Sequence, residues 1–509
     1  MMCFKRYNMK NSIKMVLCSF TVALAFGACT KDFEKLNTPP TSVTVIDPVL
    51  VFSRVLRDGT FAEGGELPNN KFGSWVQQWA GGQVVPVSRY LESSEDAIWE
   101  AHYALIKDLK QIAYELRGKE GDPSGRTKLA IAKIYEISIW ERMTDLFGDI
   151  PYSQVTKTAD ALQVTPVFDT QESIYTSLIA DLNTAMAQLT DTDESYGSAD
   201  FFYAGSAPKW RKFANSLKLR LGLRLRYANP SLARTTVEAA MAQPALLFSA
   251  NADNAAVPTF NNAQPVNANP MLRQFLTGSS DLRYVAAALV NKLKEYNDPR
   301  LPLLAQPTVN SVKAGKPDYA GLGVALTDAQ LGQVIRDNYS TASLSTWFSS
   351  AFAPIPAYSL TYAEVSFFKA EAALLGWGAT SANAEGYFKA GVGAAFQLPP
   401  YAITTIPATY DTGVLSFTGL SDEQKLEKIM TQKWIHLFGR NFEAFAEWRR
   451  NGYPVLTPGS NPGSTGGRIP RRAIYSTREA QLNNANYQAA AARLSNGDSF
   501  LSRVWWDKR

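Results

Sequence analysis

Asp145 and Asp149 stand four residues apart in TDLFGDIPY (144–152). Two carboxylates flanking one bond are the equipment of a glycoside hydrolase when their surroundings push their pKa values apart. Here Asp145 falls near a helix end and Asp149 in a Gly-Asp-Ile-Pro turn, where side-chain oxygens bond backbone amides, so the pair reads as structural. The chain has two histidines, His102 and His436, each in a helical pattern, and no His-x-x-x-His metal pair follows from them. Neither the Gly-x-Ser-x-Gly nucleophile elbow nor the phosphate-cradling Gly-x-x-x-x-Gly-Lys-Ser/Thr occurs, which removes two of the commonest catalytic templates. The sequence is therefore read as that of a binding protein and not of an enzyme, with no cofactor and no metal.

A binding protein for sugars needs aromatic planes for the C–H faces of the rings and amides or carboxylates for their polar rims. Aromatic residues make up 12% of the chain, so the question is which are exposed. Trp99, Trp140, Trp210, Trp377, Trp434 and Trp448 fall on helical apolar stripes and read as packing residues. Trp75 and Trp79 occur in FGSWVQQWAGGQVVPVSRY (72–90), before a Gly-Gly break, with Gln78 and Tyr90 close by. Trp347 and Phe348 lie in a Ser/Thr-rich stretch, DNYSTASLSTWFSSAFAP (337–354). These six are the candidate ligand-binding residues; for Trp79 and Trp347, packing or contact with a protein partner is the rival role.

One further residue carries chemistry of another kind. Lys5, Arg6, Lys10 and Lys14 precede an apolar run from Met15 to Ala28, and Gly27-Ala28 leads directly to Cys29. That is a secretory signal, too short to span a bilayer, ending like a bacterial lipobox, with Phe26 where that pattern has Leu; an ordinary signal peptide with an incidental cysteine is the alternative. The other cysteines, Cys3 and Cys18, lie inside the segment to be removed, so residues 29–509 would hold one thiol and no internal disulfide. Removing the signal leaves 47 basic against 46 acidic residues, from 51 and 46 in the whole chain. A balance of +1 gives nucleic-acid binding no electrostatic support.

The elements that must position these residues are mostly helical. TKLAIAKIYEISIWERMTDLF (127–147) carries an apolar stripe through Leu129, Ala132, Ile134, Ile137, Trp140 and Met143, and ESIYTSLIADLNTAMAQL (172–189) another through Ile174, Leu178, Leu182 and Met186. In KWRKFANSLKLRLGLRLR (209–226) the charges fall between Trp210, Phe213, Leu217 and Leu221, which predicts a solvated basic face. Ser421 with Gln424 forms a capping-box pattern opening a helical run that Gly452 can stop. Segments 362–378 and 382–396 alternate small and large residues over about one tetratricopeptide-type repeat. Long loops or short hairpins are expected at 250–270, 303–330 and 399–420.

Taken in order, CTKDFEKLNTPP after the signal, TDLFGDIPYSQ, KWRKFANSLKLRL, NDPRLP (297–302), AEVSFFKAEAALLGWG, QKWIHLFGRNFEAFAEWRRNGYP and RIPRRAIYSTREAQLNNANYQ resemble the SusD/RagB family of outer-membrane lipoproteins over nearly all of residues 29–509. The resemblance implies a mostly α-helical SusD-like fold with degenerate tetratricopeptide-like helix pairs and long irregular loops. It implies an extracellular, lipid-anchored, nutrient-binding domain after a signal peptide of residues 1–28, which captures oligosaccharides and hands them to a SusC-like TonB-dependent transporter. Asp32 and Glu34 resemble the family's surface-export signal. The RIPRR (468–472) and RRNG (449–452) arginines are expected, on the same resemblance, to tie the C-terminal segment to the helical core. A RagB-like peptide-binding lid and a tetratricopeptide-type protein-interaction module remain the alternatives.

The anchor is directly testable. Cys29→Ala is expected to abolish incorporation of labelled fatty acid and to release the protein from membranes, whereas the wild type resists a high-salt wash, because two or more acyl chains hold a protein that charge alone would not. Labelling of the Cys29→Ala protein would sink the lipoprotein reading.

Overall fold

Helix starts in this chain are written in short polar side chains. Asp122, Thr170 and Asn229 each accept a hydrogen bond from the backbone N–H of the residue three further on, satisfying one of the donors that a first helical turn leaves orphaned. Thr361 with Glu364, and Ser421 with Gln424, close reciprocal capping boxes. The computed structural model describes residues 47–65, 69–81, 89–155, 163–191, 195–260, 266, 268–271, 284–343 and 354–509; Cys29, Trp347 and Phe348 lie outside them. Among the described residues twelve helices have nine residues or more: α1 (Pro48–Phe61), α2 (Asp96–Glu115), α3 (Pro123–Phe147), α4 (Gln171–Gln188), α5 (Ala207–Arg224), α6 (Pro230–Met241), α7 (Ala287–Glu295), α8 (Tyr362–Leu374), α9 (Ala384–Gln397), α10 (Asp422–His436), α11 (Asn441–Asn451) and α12 (Asn484–Ala492).

The fold is mostly α, as expected. Neighbours in sequence pack on one another, α1 on α2, α3 on α4, α5 on α6 and α8 on α9. In the last of these pairs small residues set the separation: a Cβ at Gly391 would come within 2.8 Å of the Phe367 ring and 3.2 Å of the Ala363 carbonyl oxygen. Three two-stranded antiparallel ribbons fasten the irregular segments: β1 (Trp79–Ala80) on β5 (Tyr284–Val285), β2 (Ile150–Pro151) on β3 (Phe168–Asp169), and β4 (Ala255–Val257) on β6 (Ala357–Leu360). The helical run opened by Ser421 breaks once, at Leu437–Arg440, where Gly439 takes a φ of +83°; Gly452, at +77°, ends α11 in the left-handed conformation that glycine tolerates.

One expectation fails in an instructive way. The basic face of α5 is solvated only in its first half, where Lys209 is exposed: Lys218, Arg220 and Arg224 are buried. Arg224 Nη1 lies 2.6 Å from Glu447 Oε1, Nη2 2.7 Å from Glu443 Oε2 and Nε 3.2 Å from Asp145 Oδ2. Arg220 grips both oxygens of Glu141. From α11, Arg450 makes two 2.6 Å bonds to Glu371 of α8 and a 2.7 Å bond to Glu447, while Lys433 of α10 reaches Glu447 at 2.8 Å. Asp145 thus belongs to this interior, where it also accepts from Trp506 Nε1 at 2.7 Å. Asp149 behaves as a turn residue, accepting the Gln171 N–H at 2.8 Å. The two arginine clusters do hold the C-terminal segment: Arg449 donates to the carbonyls of Asp145 and Arg471, Arg472 to the Phe147 carbonyl and Asp498.

Breaking such a lattice is expensive because the surviving partner stays buried and charged. Arg450→Met is expected to cost about 3–5 kcal/mol of unfolding free energy, read by denaturant titration, and Arg450→Met combined with Glu371→Met to cost less than the sum of the two single changes. Additive losses would show that the pair is not coupled.

Candidate ligand-binding cleft

The break between α10 and α11 does more than end a helix. It projects Phe438, Gly439 and Arg440 toward the C-terminal end of α1, the 269–271 segment, the lead into β6 and the turn after α9, and these five pieces wall a cleft open to solvent. Its apolar lining includes Met271, Ile355, Leu398 and Phe438; Tyr358 and Tyr401 add aromatic rings, and Glu63, Thr361, His436 and Arg440 add polar groups. The walls are fixed by hydrogen bonds: Asn269 Nδ2 donates to the Ile355 carbonyl at 3.0 Å, and its Oδ1 accepts the Met271 N–H at 3.0 Å. Burial, partly offset by the charge of Arg440, raises the Tyr358 phenol to about 12. Burial also raises Tyr401. Both phenols are therefore neutral and free of charge-driven preference.

His436 and Thr361 sit in this wall at hydrogen-bond distance, Nε2 to Oγ1 2.8 Å, and raise the question of a nucleophile and base. The Thr361 hydroxyl has a carboxylate to serve, Glu364 Oε2 at 2.8 Å, the stronger acceptor of the two. Its proton lies there, so His436 donates through Nε2–H and Thr361 cannot pass its proton to the ring. Burial, reinforced by the charge of Arg440, holds the His436 pKa well below its ordinary value. The arrangement caps α8; it does not activate an alcohol.

The residues singled out in the sequence are placed as follows. Trp75 is fully buried, with ring centroids 5.2, 5.4 and 4.9 Å from those of Phe72, Phe445 and Phe500. Gln78 is also inside, donating to the Trp434 carbonyl at 2.6 Å, while Trp434 Nε1 donates to the Val76 carbonyl at 2.9 Å. Tyr90 is buried too, its hydroxyl accepting the Gly459 N–H at 3.2 Å. Trp79 has no exposed surface and stacks on Phe438 at 4.4 Å with an interplanar angle of 22°. Pairing of β1 with β5 turns its ring inward, and Gly73 makes room for it: a Cβ there would lie 2.6 Å from Trp79 Cδ1. The structure thus brings these four into the interior instead of onto a binding surface, and Trp79 reaches the cleft only through Phe438. Trp377 falls in the turn after α8 and not on a helix. Sequence reasoning missed Tyr358, in the four-residue strand β6, and Tyr401 and Phe438, which lie on short connections with no periodicity; Gly439 after Phe438 and the prolines before Tyr401 were the available signals.

Residues 40–476 match the SusD-like family described as "Starch-binding associating with outer membrane". No curated protein matches the chain. Among solved structures it is similar to a chitin-binding protein, at 28% identity and TM-score 0.77, covering 91% of this chain and 100% of that one. A SusD homolog from Bacteroides uniformis follows at 25% identity and TM-score 0.72, and one from Bacteroides fragilis at 23% and 0.73, each with 91% of this chain and 100% of the other covered.

With two histidines in the chain, the assignment at His436 is easy to read by NMR. Burial, then the charge of Arg142, lowers His102 to about 3, and its Nε2 has no acceptor nearby for a second proton. Neither imidazole is expected to titrate between pH 8 and 5, although both take up a proton near pH 6.5 when unfolded. Each therefore contributes stability that is complete above pH 6.5 and declines as the pH falls, by about 1.4 kcal/mol per unit. Glu141, raised to about 7 by burial, works in the opposite sense between about pH 7 and 4.5. A midpoint above 6 for His436 in the folded protein would overturn the neutral Nε2–H assignment.

Proposed function

Because this chain belongs to the SusD-like family, we propose that it is a cell-surface glycan-binding lipoprotein, tethered to the outer membrane through Cys29, that captures oligosaccharides and delivers them to a SusC-like TonB-dependent transporter. The observation that carries this reading is the family match over residues 40–476, to a family described as starch-binding and associating with the outer membrane. Likeness over 91% of the chain to a chitin-binding protein at 28% identity supports a glycan as the ligand. Among the described residues no helix is long and apolar enough to cross a membrane, which fits a body held by its N-terminal lipid.

The cleft supplies what a sugar needs. Tyr358, Tyr401 and Phe438 present rings for C–H faces, the neutral Tyr358 phenol donates and accepts at its ring edge, and the apolar remainder excludes water around those bonds. Trp79 acts on ligand only by fixing the plane of Phe438 from behind.

Calorimetric titration with N-acetylchitotriose and maltotriose tests the reading. Binding of at least one is expected, and Tyr358→Ala or Tyr401→Ala is expected to weaken it about tenfold, the 1.4 kcal/mol of one aromatic contact. Unaltered affinity in both variants would move the site out of the cleft; binding of peptides and of neither trisaccharide would favour the peptide-carrying alternative.

A further inference from the structure

Two side chains at the floor of the cleft each have one polar atom left over. Glu63 Oε1 is taken by Arg142 Nη2 at 2.9 Å, and Arg142 is itself held by the Gly59 carbonyl at 2.6 Å. Arg440 uses Nη1 on Glu364 and Nη2 on the Ser359 carbonyl at 2.7 Å. What remains is Glu63 Oε2 and Arg440 Nε, both buried and neither with a hydrogen-bond partner. They lie 3.8 Å apart, too far for a hydrogen bond to each other. Both residues line the cleft, with side chains only 7% and 10% exposed.

Resting on the assignment of the cleft as the glycan site, we propose that Glu63 and Arg440 together read one hydroxyl group of the bound sugar. The hydroxyl donates to Glu63 Oε2 and accepts from Arg440 Nε–H. Two atoms 3.8 Å apart can both lie about 2.8 Å from one oxygen set beside the line that joins them, and that oxygen must be both donor and acceptor, which a hydroxyl is. An ammonium ion offers only donors, a carboxylate only acceptors, and an ether oxygen cannot donate, so the pair selects neutral polyols over charged or fully alkylated ligands. A sugar hydroxyl placed there satisfies both leftover atoms at once, so neither pays for burial without a partner. The network behind the two side chains keeps them in place, because each is anchored by bonds that the ligand does not use.

Glu63→Gln preserves shape and an acceptor for Arg142 but places an N–H2 donor where the hydroxyl must donate. It is expected to weaken N-acetylchitotriose or maltotriose binding about tenfold. In a monodeoxy series of whichever trisaccharide binds, one position should lose tenfold or more with wild type and under threefold with Glu63→Gln, since removing either partner of one bond removes the same interaction. Loss of affinity on Tyr358→Ala with no such coupling at any position overturns the pair while leaving the cleft. No effect of Tyr358→Ala, Tyr401→Ala or Glu63→Gln, or binding of neither trisaccharide, overturns the cleft and the pair with it. Should Glu63→Gln fail to fold, a crystal structure of the wild-type complex decides: a ligand oxygen within about 3.2 Å of both atoms supports the assignment, and a water retained there with the sugar elsewhere in the cleft rejects it.

Discussion

The helices are held in register by a lattice of buried charge. Glu63, Glu141, Asp145, Glu364, Glu371, Glu443 and Glu447 face Arg142, Arg220, Arg224, Lys433, Arg440 and Arg450, each residue as a whole at or below 9% exposure. Pairing matters because an uncompensated ion in such surroundings costs several kcal/mol, more than most single packing contacts return. The balance is uneven from site to site. Burial acts to raise Glu447, yet Arg450, Lys433 and Arg224 prevail and hold its carboxyl well below the usual range. At Glu141 burial prevails over Arg220 and lifts the group to about 7. A hydrophobic replacement of the whole lattice could be as stable; what charge adds is direction, since a bidentate guanidinium accepts a carboxylate in one orientation and so fixes helix rotation as well as separation.

The cleft is the edge of that lattice. Arg440 and Glu364 join the start of α11 to the cap of α8, and Glu63 joins the end of α1 to α3 through Arg142. The same bonds that set helix positions therefore set the floor on which a ligand would rest. Behind the apolar wall the logic repeats in aromatic form: Phe438 is pinned by the Trp79 stack, and Trp79 by the β1–β5 ribbon and the space over Gly73. A binding surface built on locked supports loses little conformational freedom when ligand arrives, which leaves more of the contact energy for affinity.

How much of this was legible in the sequence follows from what each signal encodes. Helices α3, α4 and α5 and the capping box at Ser421 could be read because periodicity and caps are local. The family resemblance rested on short motifs such as TDLFGDIPY and RNFEAFAEWRRNG, and Asp145 of the first and the acids and arginines of the second prove to belong to the charged interior. The C-terminal half of the α5 face was misread because a charge pattern along one helix looks the same whether its partners are solvent or carboxylates 219 residues away, as with Arg224 and Glu443. Between ligand contact and packing the sequence could not decide for Trp79, for a related reason: a Gly-Gly break after a tryptophan marks a chain reversal, and whether the ring then faces water depends on the strand it meets, here Tyr284–Val285.

Tyr358 and Tyr401 show the limit from the other side. They stand 43 positions apart with no shared motif, one in a strand of a β-ribbon and one in a proline turn, and nothing in either neighbourhood points to the other. What joins them is the α8–α9 hairpin, which carries the chain out from β6 and back to the Pro399–Tyr401 turn. The small residues that read as a repeat signature are thus what bring the two rings to one cleft: substituting a larger side chain for Gly391 would push α9 off Phe367 and carry Tyr401 with it. Packing inside the helix pair and the shape of the proposed binding surface are in this way one constraint, and the sequence displays the first openly while the second emerges only when the pair is closed.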